Sequence, residues 1–481
     1  MLLFLLGIFL LIAGYFSYGK FIDRLLAPDD RPTPAVTHPD GVDFVPLPHW
    51  KNMLIQLLNI AGIGPVIGVI LGIKFGEIVF LIIPIGNLLG GAVHDFLAGM
   101  MSLRNNGANL PVLIRQNLNG GYARFFSVFM LFLLLLVVAV FINIPAQLTS
   151  GIISGGNHTM WFWICVGAIF LYYVTATLFP VDKIIGKIYP IFGAILILSS
   201  VALFGTLLVA GFRTPELLTE TETFRAGMFQ QPVLPMLFVT IACGILSGFH
   251  ATQSPIVART MRSERQARST FYGMMVLEGL IGMIWAAAGM AIFNLYPELM
   301  AKAPAVALNR ITIHFLGEFL GGFTVLGVIV LAITSGDTAM RSLRLSLAEL
   351  LHVDQVKFRN RLLLCLPLIA LVGLLLWWSN QSAQTFNQLW NYFAWGNQVL
   401  GASTLMAGAV WLLRQKKNPL PALLPGIFMT FIVLTYILWI SPAHGGPFGL
   451  GLQLHYAYFL AGSLAVIIAI MLMNPADKQS K

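Results

Sequence analysis

Two stretches decide how this 481-residue chain is read: "NIAGIGPVIG" (Asn59–Gly68) and "FHATQSPIVA" (Phe249–Ala258). Written one above the other, they pair Ala61 with Ala251, Pro65 with Pro255, Val66 with Ile256, Ile67 with Val257 and Gly68 with Ala258. Each lies in an apolar run. Proline removes an amide donor and clashes with the preceding turn, and glycine lowers the cost of unwinding, so each run is predicted to be a helix broken near its middle, at Pro65 and at Pro255. The plainer alternative is a pair of ordinary proline kinks. Spacing favours the break: the two starts lie five spans apart, an odd number of crossings, which gives the units they open opposite membrane orientation.

The surrounding composition supports a membrane setting. Hydrophobic residues make up 58% of the chain and charged residues 10%, with a mean hydropathy of +0.83. That leaves too little polar surface to coat a soluble globule of this size. A helix needs about 20 apolar residues to cross the hydrocarbon. Thirteen candidate runs meet that need, at roughly 1–19, 53–73, 77–101, 124–144, 159–180, 189–211, 232–256, 270–294, 315–340, 361–378, 388–413, 420–440 and 455–474. The first has no basic residue ahead of it and no small-residue cleavage site, so it reads as a retained anchor. Cys165, Cys243 and Cys365 all fall in apolar runs and read as core packing.

Basic residues orient the spans, because cytoplasmic loops concentrate Lys and Arg. With the 20–52 loop inside, only Lys74, Arg213, Arg225, Lys302 and Arg310 of the 28 Lys and Arg fall outside. The N-terminus is therefore placed outside and the C-terminus in the cytoplasm. The net charge of +9 is a topology signal rather than a sign of nucleic acid. Loop 20–52 carries six prolines between Pro28 and Pro48 and is predicted to be an extended cytoplasmic linker. The expected organisation is an all-α integral membrane protein of about 13 transmembrane helices, built on a five-plus-five inverted repeat. It comprises an N-terminal helix (1–19), the linker (20–52), a first five-helix unit (53–211), a second (232–413) and two C-terminal helices (420–474).

A charged side chain at the bilayer centre costs at least ~2.5–3.5 kcal/mol, so such groups face the bundle interior. His94, Asp95, His250, Glu278 and Asp337 are the candidates. Asn87, Gly91, His94 and Ala98 follow spacings of four, three and four and share one face, on which small residues admit a close neighbour. Asp95 is expected about 100° away from His94 on the helical wheel. Either histidine could instead be satisfied by a carbonyl, and Glu278 could be a packed neutral carboxyl. Asp337 and Arg341, four apart, are expected to form a structural ion pair. Arg104 is expected to snorkel to the interface. His94 and Asp95 lack the spacing of helical metal ligands, so no metal site is expected. No HExxH, P-loop, nucleophile elbow or dinucleotide fingerprint stands at a credible junction, so the chain does not read as an enzyme.

These residues also carry a resemblance. "YGKFIDRLLAPDDRPTPAVTHPDGVDFVP", "IAGIGPVIG", "GGAVHDFLAGMMSLRNNGANLP", "SGFHATQSP" and "SGDTAMRSLRL", distributed from residue 18 to about 345, resemble the carbon starvation protein A family. The resemblance implies a cytoplasmic-membrane transporter linked to nutrient starvation, with peptides and pyruvate as proposed substrates. It also implies membership of the amino acid/polyamine/organocation superfamily and thus a LeuT-like repeat. Longer members carry further C-terminal sequence, and many have a His-rich approach to the first break where this chain reads "MLIQLLN".

On this reading the protein is a secondary active transporter for uptake of a small carboxylate nutrient during carbon starvation. Half-helix N-termini favour an anion and unwound carbonyls a cation. The substrate carboxylate is expected on backbone amides around Gly62, Ile63 and Gly64 and around Thr252, Gln253 and Ser254, with His250 alongside. His94, Asp95, Glu278 and Asp337 are candidates for coupling, H⁺ first and Na⁺ second. By fold analogy, Thr334, Ser335 and Asp337 lie where related transporters hold sodium against the first broken helix. No cofactor is expected, and the oligomeric state stays open. A peptide or amino acid symporter is the alternative substrate reading. A membrane nutrient sensor without translocation is the alternative class.

Overall fold

Apolar runs long enough for the bilayer fold as helices throughout. In the computed structural model, residues 1–154, 159–178, 181–302, 304–444, 446 and 448–473 are described, and among them there is no strand. The side chains of Lys183, Lys187 and Cys243, and all of Lys478 and Lys481, lie outside the described set. In chain order the helices begin with α1 (Leu2–Phe16), α2 (Tyr18–Leu26), the short α3 (Pro34–Thr37), α4 (His49–Ile60) and α5 (Val69–Gly72). Next come α6 (Val79–Gly86), α7 (Ala92–Arg104), α8 (Leu110–Asn117), α9 (Gly120–Ser154), α10 (Thr159–Leu178), α11 (Val181–Arg213) and α12 (Glu222–Gly227). Then follow α13 (Val233–Thr240), α14 (Ala242–Ile245), α15 (Gly248–Ala258), α16 (Met274–Leu295) and α17 (Pro304–Leu350). The last four are α18 (Phe358–Ser379), α19 (Ala383–Arg414), α20 (Leu420–Trp439) and α21 (Leu454–Met473).

Among the described residues, ten helices are long and apolar enough to cross a membrane, or eleven when the bent pair His49–Ile60 and Gly64–Phe75 counts as one span. Two further expected spans, 232–256 and 388–413, fall on α13–α15 and on α19. These are helical but interrupted in one case and polar in the other, with Asn391, Asn397 and Gln398 inside α19. The expected span 315–340 belongs to α17, which is broken at Gly317 (φ +74°, ψ 174°), a backbone region open to glycine at little cost.

Packing explains which helices sit where. α16 is buried along most of its length, with Trp285, three consecutive alanines (Ala286–Ala288) and Gly289 inside. α21 is its opposite: Ala457, Ala461, Ala465 and Ala469, each four apart, make one narrow stripe for α20, and the other faces display Phe459, Val466, Ile470 and Met471. A helix clothed this way is stable only against lipid. Small residues on the third span do admit a neighbour. A Cβ on Gly91 would meet the Ile245 carbonyl, and one on Gly99 the Phe271 ring.

The linker is less extended than its prolines predict. It holds α3 and is pinned beneath α15: Leu47 N–H donates to Thr260 O at 2.8 Å, and the Thr33 hydroxyl to Met261 O. Charges fasten the same region. Arg31 binds Asp29 at 2.6 Å and lies 3.4 Å from Glu264, and Arg265 pairs with Asp30. Arg104 does not snorkel freely; its Nε donates to Glu264 at 2.9 Å and its guanidinium lies over Trp411.

The hydrogen bonds of Arg31 and Arg265 hold the Asp29 and Asp30 carboxyls below the usual carboxylate range. Groups so depressed contribute above their unfolded values near 3.9, and the contribution disappears only as pH falls through the lower folded value. Trypsin cleavage of the linker, taken relative to an unstructured reference peptide at each pH, is therefore expected to stay constant from pH 8 to 5. It is expected to rise between ~0.1 and ~1 M salt, as the screening length shrinks from about 10 Å to 3 Å. Faster cleavage at pH 5 than at pH 8 in low salt would contradict this account.

Candidate functional site

The first broken span behaves nearly as its sequence predicts. α4 stops at Ile60, residues 61–63 leave the helix, and the chain resumes at Gly64 as a π-helical turn, Gly64–Gly68, with a 51° bend. Pro65 sits in the first turn of the resumed helix, where its missing N–H costs nothing. Gly62 faces Ser335 on α17, and the Ser335 hydroxyl donates to Leu58 O at 3.0 Å. The ninth span thus does lie against the first break.

The second break is displaced. α15 runs unbroken through Pro255, and the interruption falls at Leu246 and Ser247, eight residues upstream of the proline. The physical cause is a side chain from α19. Asn397 Oδ1 accepts from the Phe249 N–H at 2.6 Å, and Asn397 Nδ2 donates to Ser247 Oγ at 2.9 Å, so one donor freed at the α15 N-terminus is met and the Ser247 side chain is held in place. A Cβ on Gly248 would collide with the backbone of Asn397 and Gly401. The backbone breaks where another helix caps it.

This relocates part of the expected site. Thr252, Gln253 and Ser254 are buried in the interior of α15, so their amides are committed to the helix. Their side chains are engaged as well: the Gln253 amide donates to Thr252 Oγ1 at 2.8 Å and to Ser342 Oγ at 3.2 Å, and the Ser254 hydroxyl donates to His250 O at 3.1 Å. Between the breaks lies a space of about 10 Å³, lined by Ile63 and Gly64 on one side and Trp390, Phe393 and Asn397 on the other. A space of that size holds at most about one water. The conformation is closed around its centre.

Beside this closed centre the structure joins charges that the helical wheel separates. His94 Nδ1 lies 2.8 Å from Asp95 Oδ1, His250 Nδ1 lies 3.1 Å from Asp95 Oδ2, and His250 Nε2 lies 3.8 Å from Glu278 Oε2. All four residues are 0% exposed. Their positions on the wheel differ by about 100°, but the Asp95 carboxylate has two oxygens and reaches sideways to both imidazoles. Donation from each Nδ1 leaves each neutral ring with Nε2 as its acceptor. Neither Nε2, nor either oxygen of Glu278, has a hydrogen-bond partner in the structure. Asn87 braces this region by donating to Gly244 O at 3.3 Å and to Met275 O at 2.9 Å, tying the third span to α14 and α16.

Asp337 stands apart from the four. Its Oδ2 accepts from the Tyr172 hydroxyl at 3.2 Å, and its Oδ1 is without a partner. The ion pair expected with Arg341 gives way to other contacts. Arg341 donates to Ala176 O at 2.6 Å and lies 4.0 Å from Asp43, because the linker carries a carboxylate to that helix face. Thr334 and Ser335 are buried on the same helix. Sequence reasoning missed Asn397, Tyr172 and Asp43. The signal for Asn397 was present, since Asn397–Gln398 is a polar pair inside an apolar span.

An all-helical bundle with two interrupted spans around a closed centre is the architecture of a membrane transporter. Solved structures agree on the fold. The chain superposes on MhsT, crystallised in complex with L-phenylalanine, with a TM-score of 0.58 at 11% identity, over 89% of this chain and 99% of that one. It superposes on the Eremococcus coleocola manganese transporter with a TM-score of 0.53 at 14% identity, covering 91% and 97%. It belongs to the carbon starvation protein CstA family, which it matches over residues 1–207, 156–314 and 296–436. An uncharacterized membrane protein of Haemophilus influenzae is 39% identical over 66% of this chain and 98% of its own. The peptide transporter CstA of Escherichia coli is 25% identical over 88% of this chain and 78% of its own. The pyruvate/proton symporter BtsT of Escherichia coli is 25% identical over 64% of this chain, which spans 51% of that relative. The protein is thus a multi-pass membrane protein whose family and structural neighbours are transporters rather than enzymes.

Proposed function

We propose that this protein is a proton-coupled symporter in the inner membrane that imports a small, pyruvate-like carboxylate during carbon starvation. The observation that carries the reading is the buried chain His94–Asp95–His250–Glu278 beside the interrupted helices. Two units, 53–211 and 232–413, are taken as the inverted repeat that exposes this centre to each side in turn. The N-terminus is placed outside. In support, the basic groups assigned inside by count cluster around Glu264, whereas Lys74 joins Met300 and Arg310 joins Tyr296 at other helix ends.

The chemistry follows from proton positions. Glu278, without hydrogen-bond partners, is most easily accommodated neutral in its buried site. Closing the 3.8 Å gap by about 1 Å would let its proton pass to His250 Nε2. Asp95 would then hold the resulting imidazolium through Nδ1, with His94 as a second donor to the same carboxylate. A protonated His250 offers positive charge to a substrate carboxylate near Ile63 and Gly64. For the substrate to enter, Trp390 and Phe393 must move away from the first break. Glu278 is then reprotonated from the outer side, so one proton is taken up with each carboxylate bound, which is the requirement for symport.

Uptake into proteoliposomes of labelled pyruvate, alanine and a dipeptide, each under an inward pH or sodium gradient, tests this directly. Pyruvate accumulation driven by pH alone is expected. Dipeptide accumulation without pyruvate uptake would replace the substrate, and counterflow absent for all three would favour a sensor.

One observation keeps a sodium reading in play: Ser335 touches the first break, and two residues further along α17 Asp337 Oδ1 has no hydrogen-bond partner. Asp337→Asn is expected to lower concentrative uptake about tenfold, equal to a change of ~1.4 kcal/mol in coupling, with counterflow retained. Undiminished accumulation in that variant would remove Asp337 from the mechanism.

A further inference from the structure

Three guanidinium groups are buried near the linker end of the bundle: Arg344 is 0% exposed, Arg341 1% and Arg361 9%. Each interacts electrostatically with the buried Cys365 thiol. Buried guanidinium groups demand hydrogen-bonded anions, because the cost of taking them out of water is otherwise uncompensated. Arg344 is poorly served. Its Nη1 donates to the Gln355 side chain, but Nε and Nη2 have no hydrogen-bond partner in the structure. Among the described residues, the carboxylate within ion-pair distance of Arg344 is Asp43, whose Oδ1 stands 3.9 Å from Nη2 and 4.0 Å from Arg341 Nη1. That oxygen has no hydrogen bond of its own. Asp43 therefore supplies charge to two arginines while bonding neither through that atom.

Its mounting suits an exchangeable occupant. Asp43 belongs to a linker turn in which Asp40 Oδ1 accepts from the N–H groups of Val42, Asp43 and Phe44 at 2.8–2.9 Å. Asp43 and Phe44 also line a cavity of about 640 Å³, bounded across from them by Arg259, Glu349 and Val353. Arg259 and Glu349 pair with each other at 3.3 Å, so neither neutralises Arg344. A shift of the linker turn would withdraw Asp43 from the arginine donors, and Leu345, next to Arg344 in sequence, already lines that cavity. Their forked geometry fits a carboxylate or phosphate group, which can accept two parallel N–H bonds where Asp43 reaches for two groups with one atom.

We propose that Arg344, with Arg341 and Arg361, forms a binding site for a small oxyanion, which Asp43 of the linker fills in this conformation. The site lies on the linker side of the bundle, away from the His94–Glu278 chain, and stands whether or not the transport reading holds. Asp43 acts as an internal competitor, and the linker turn sets how strongly it competes.

The test uses the full chain in nanodiscs of uncharged phosphatidylcholine and measures equilibrium binding of pyruvate and of inorganic phosphate. Asp43→Asn keeps the shape of the residue and removes its charge, and it is expected to raise affinity for at least one of the two anions by about tenfold or more. Arg344→Gln in the Asp43→Asn background is expected to abolish the gain. Arg344→Lys, which keeps the charge and loses the fork, is expected to retain part of it and serves if the glutamine variant does not fold. A gain for pyruvate alone assigns a carboxylate site, and an equal gain for phosphate a general oxyanion site. A gain that vanishes when phosphatidylglycerol is added to the nanodisc assigns a lipid phosphate. Equal affinity in wild type and Asp43→Asn, or a gain that survives both Arg344 substitutions, would overturn the proposal.

Discussion

Glu278→Gln abolishes accumulation driven by a pH gradient while leaving counterflow intact; this is the expected result with the largest effect. One proton moved across one pH unit supplies 1.36 kcal/mol, which supports about tenfold accumulation at a one-to-one stoichiometry. A gradient of two pH units therefore supports about 100-fold, and the glutamine variant is expected to return that ratio to about one. Glutamine keeps the shape of the side chain but cannot give a proton to His250 Nε2, 3.8 Å away in the wild type. Counterflow needs only exchange of substrate across a reorienting centre, so it persists. The substitution places a neutral amide where both carboxyl oxygens are already without partners, at a cost of about 1–3 kcal/mol, which melting of the purified variant would show. Asp95→Asn gives an independent check. An amide presents a single acceptor oxygen, so it can serve His94 or His250 but not both. Accumulation by Glu278→Gln equal to wild type under the same gradient would exclude the buried chain as the coupling element.

What the sequence disclosed divides along a physical line. Span positions, the first break and the burial of His94, Asp95, His250, Glu278 and Asp337 follow from local composition, since an apolar run with a proline or a charge inside it has few ways to satisfy its polar groups. The break after Ile60 lies within a few residues of Pro65 because Gly62 and Gly64 are free to unwind there. The second break was misplaced for a reason equally plain. Pro255 alone deletes a single hydrogen bond, which a tightly packed helix tolerates. The interruption at Leu246 and Ser247 is instead fixed by Asn397, 148 residues away from the Phe249 N–H that it caps. A contact of that range leaves no mark on the local pattern of α15. The same holds for Asp43, which the linker delivers to Arg341 and Arg344 across about 300 residues of chain. The His94–Asp95 contact failed to show for a different reason: the helical wheel tracks Cβ directions, whereas hydrogen bonds depend on where carboxylate oxygens end.

The second large effect concerns that long-range cap. Gly248→Val is expected to destabilise the protein by about 3 kcal/mol, at the upper end of overpacking substitutions. Most such substitutions displace a flexible side chain. Here the first carbon added at Gly248 would meet backbone, the Gly401 N and the Asn397 O, together with the Leu400 Cβ. Backbone cannot rotate aside, so α15 and α19 must part along their crossing. Parting lengthens the 2.6 Å bond from the Phe249 N–H to Asn397 and the bonds between Ser247 and Asn397, leaving donors at the α15 N-terminus buried and unmet. The two losses share one cause, so Gly248→Val and Asn397→Ala are expected to be less than additive when combined. Gly167 is the matched control: a Cβ there meets nothing within 4 Å, and Gly167→Val should leave stability nearly unchanged. Melting of the purified variants in one detergent reads the comparison. Equal melting of the Gly248 and Gly167 variants would show that the close crossing of α15 and α19 does not hold the second break in place.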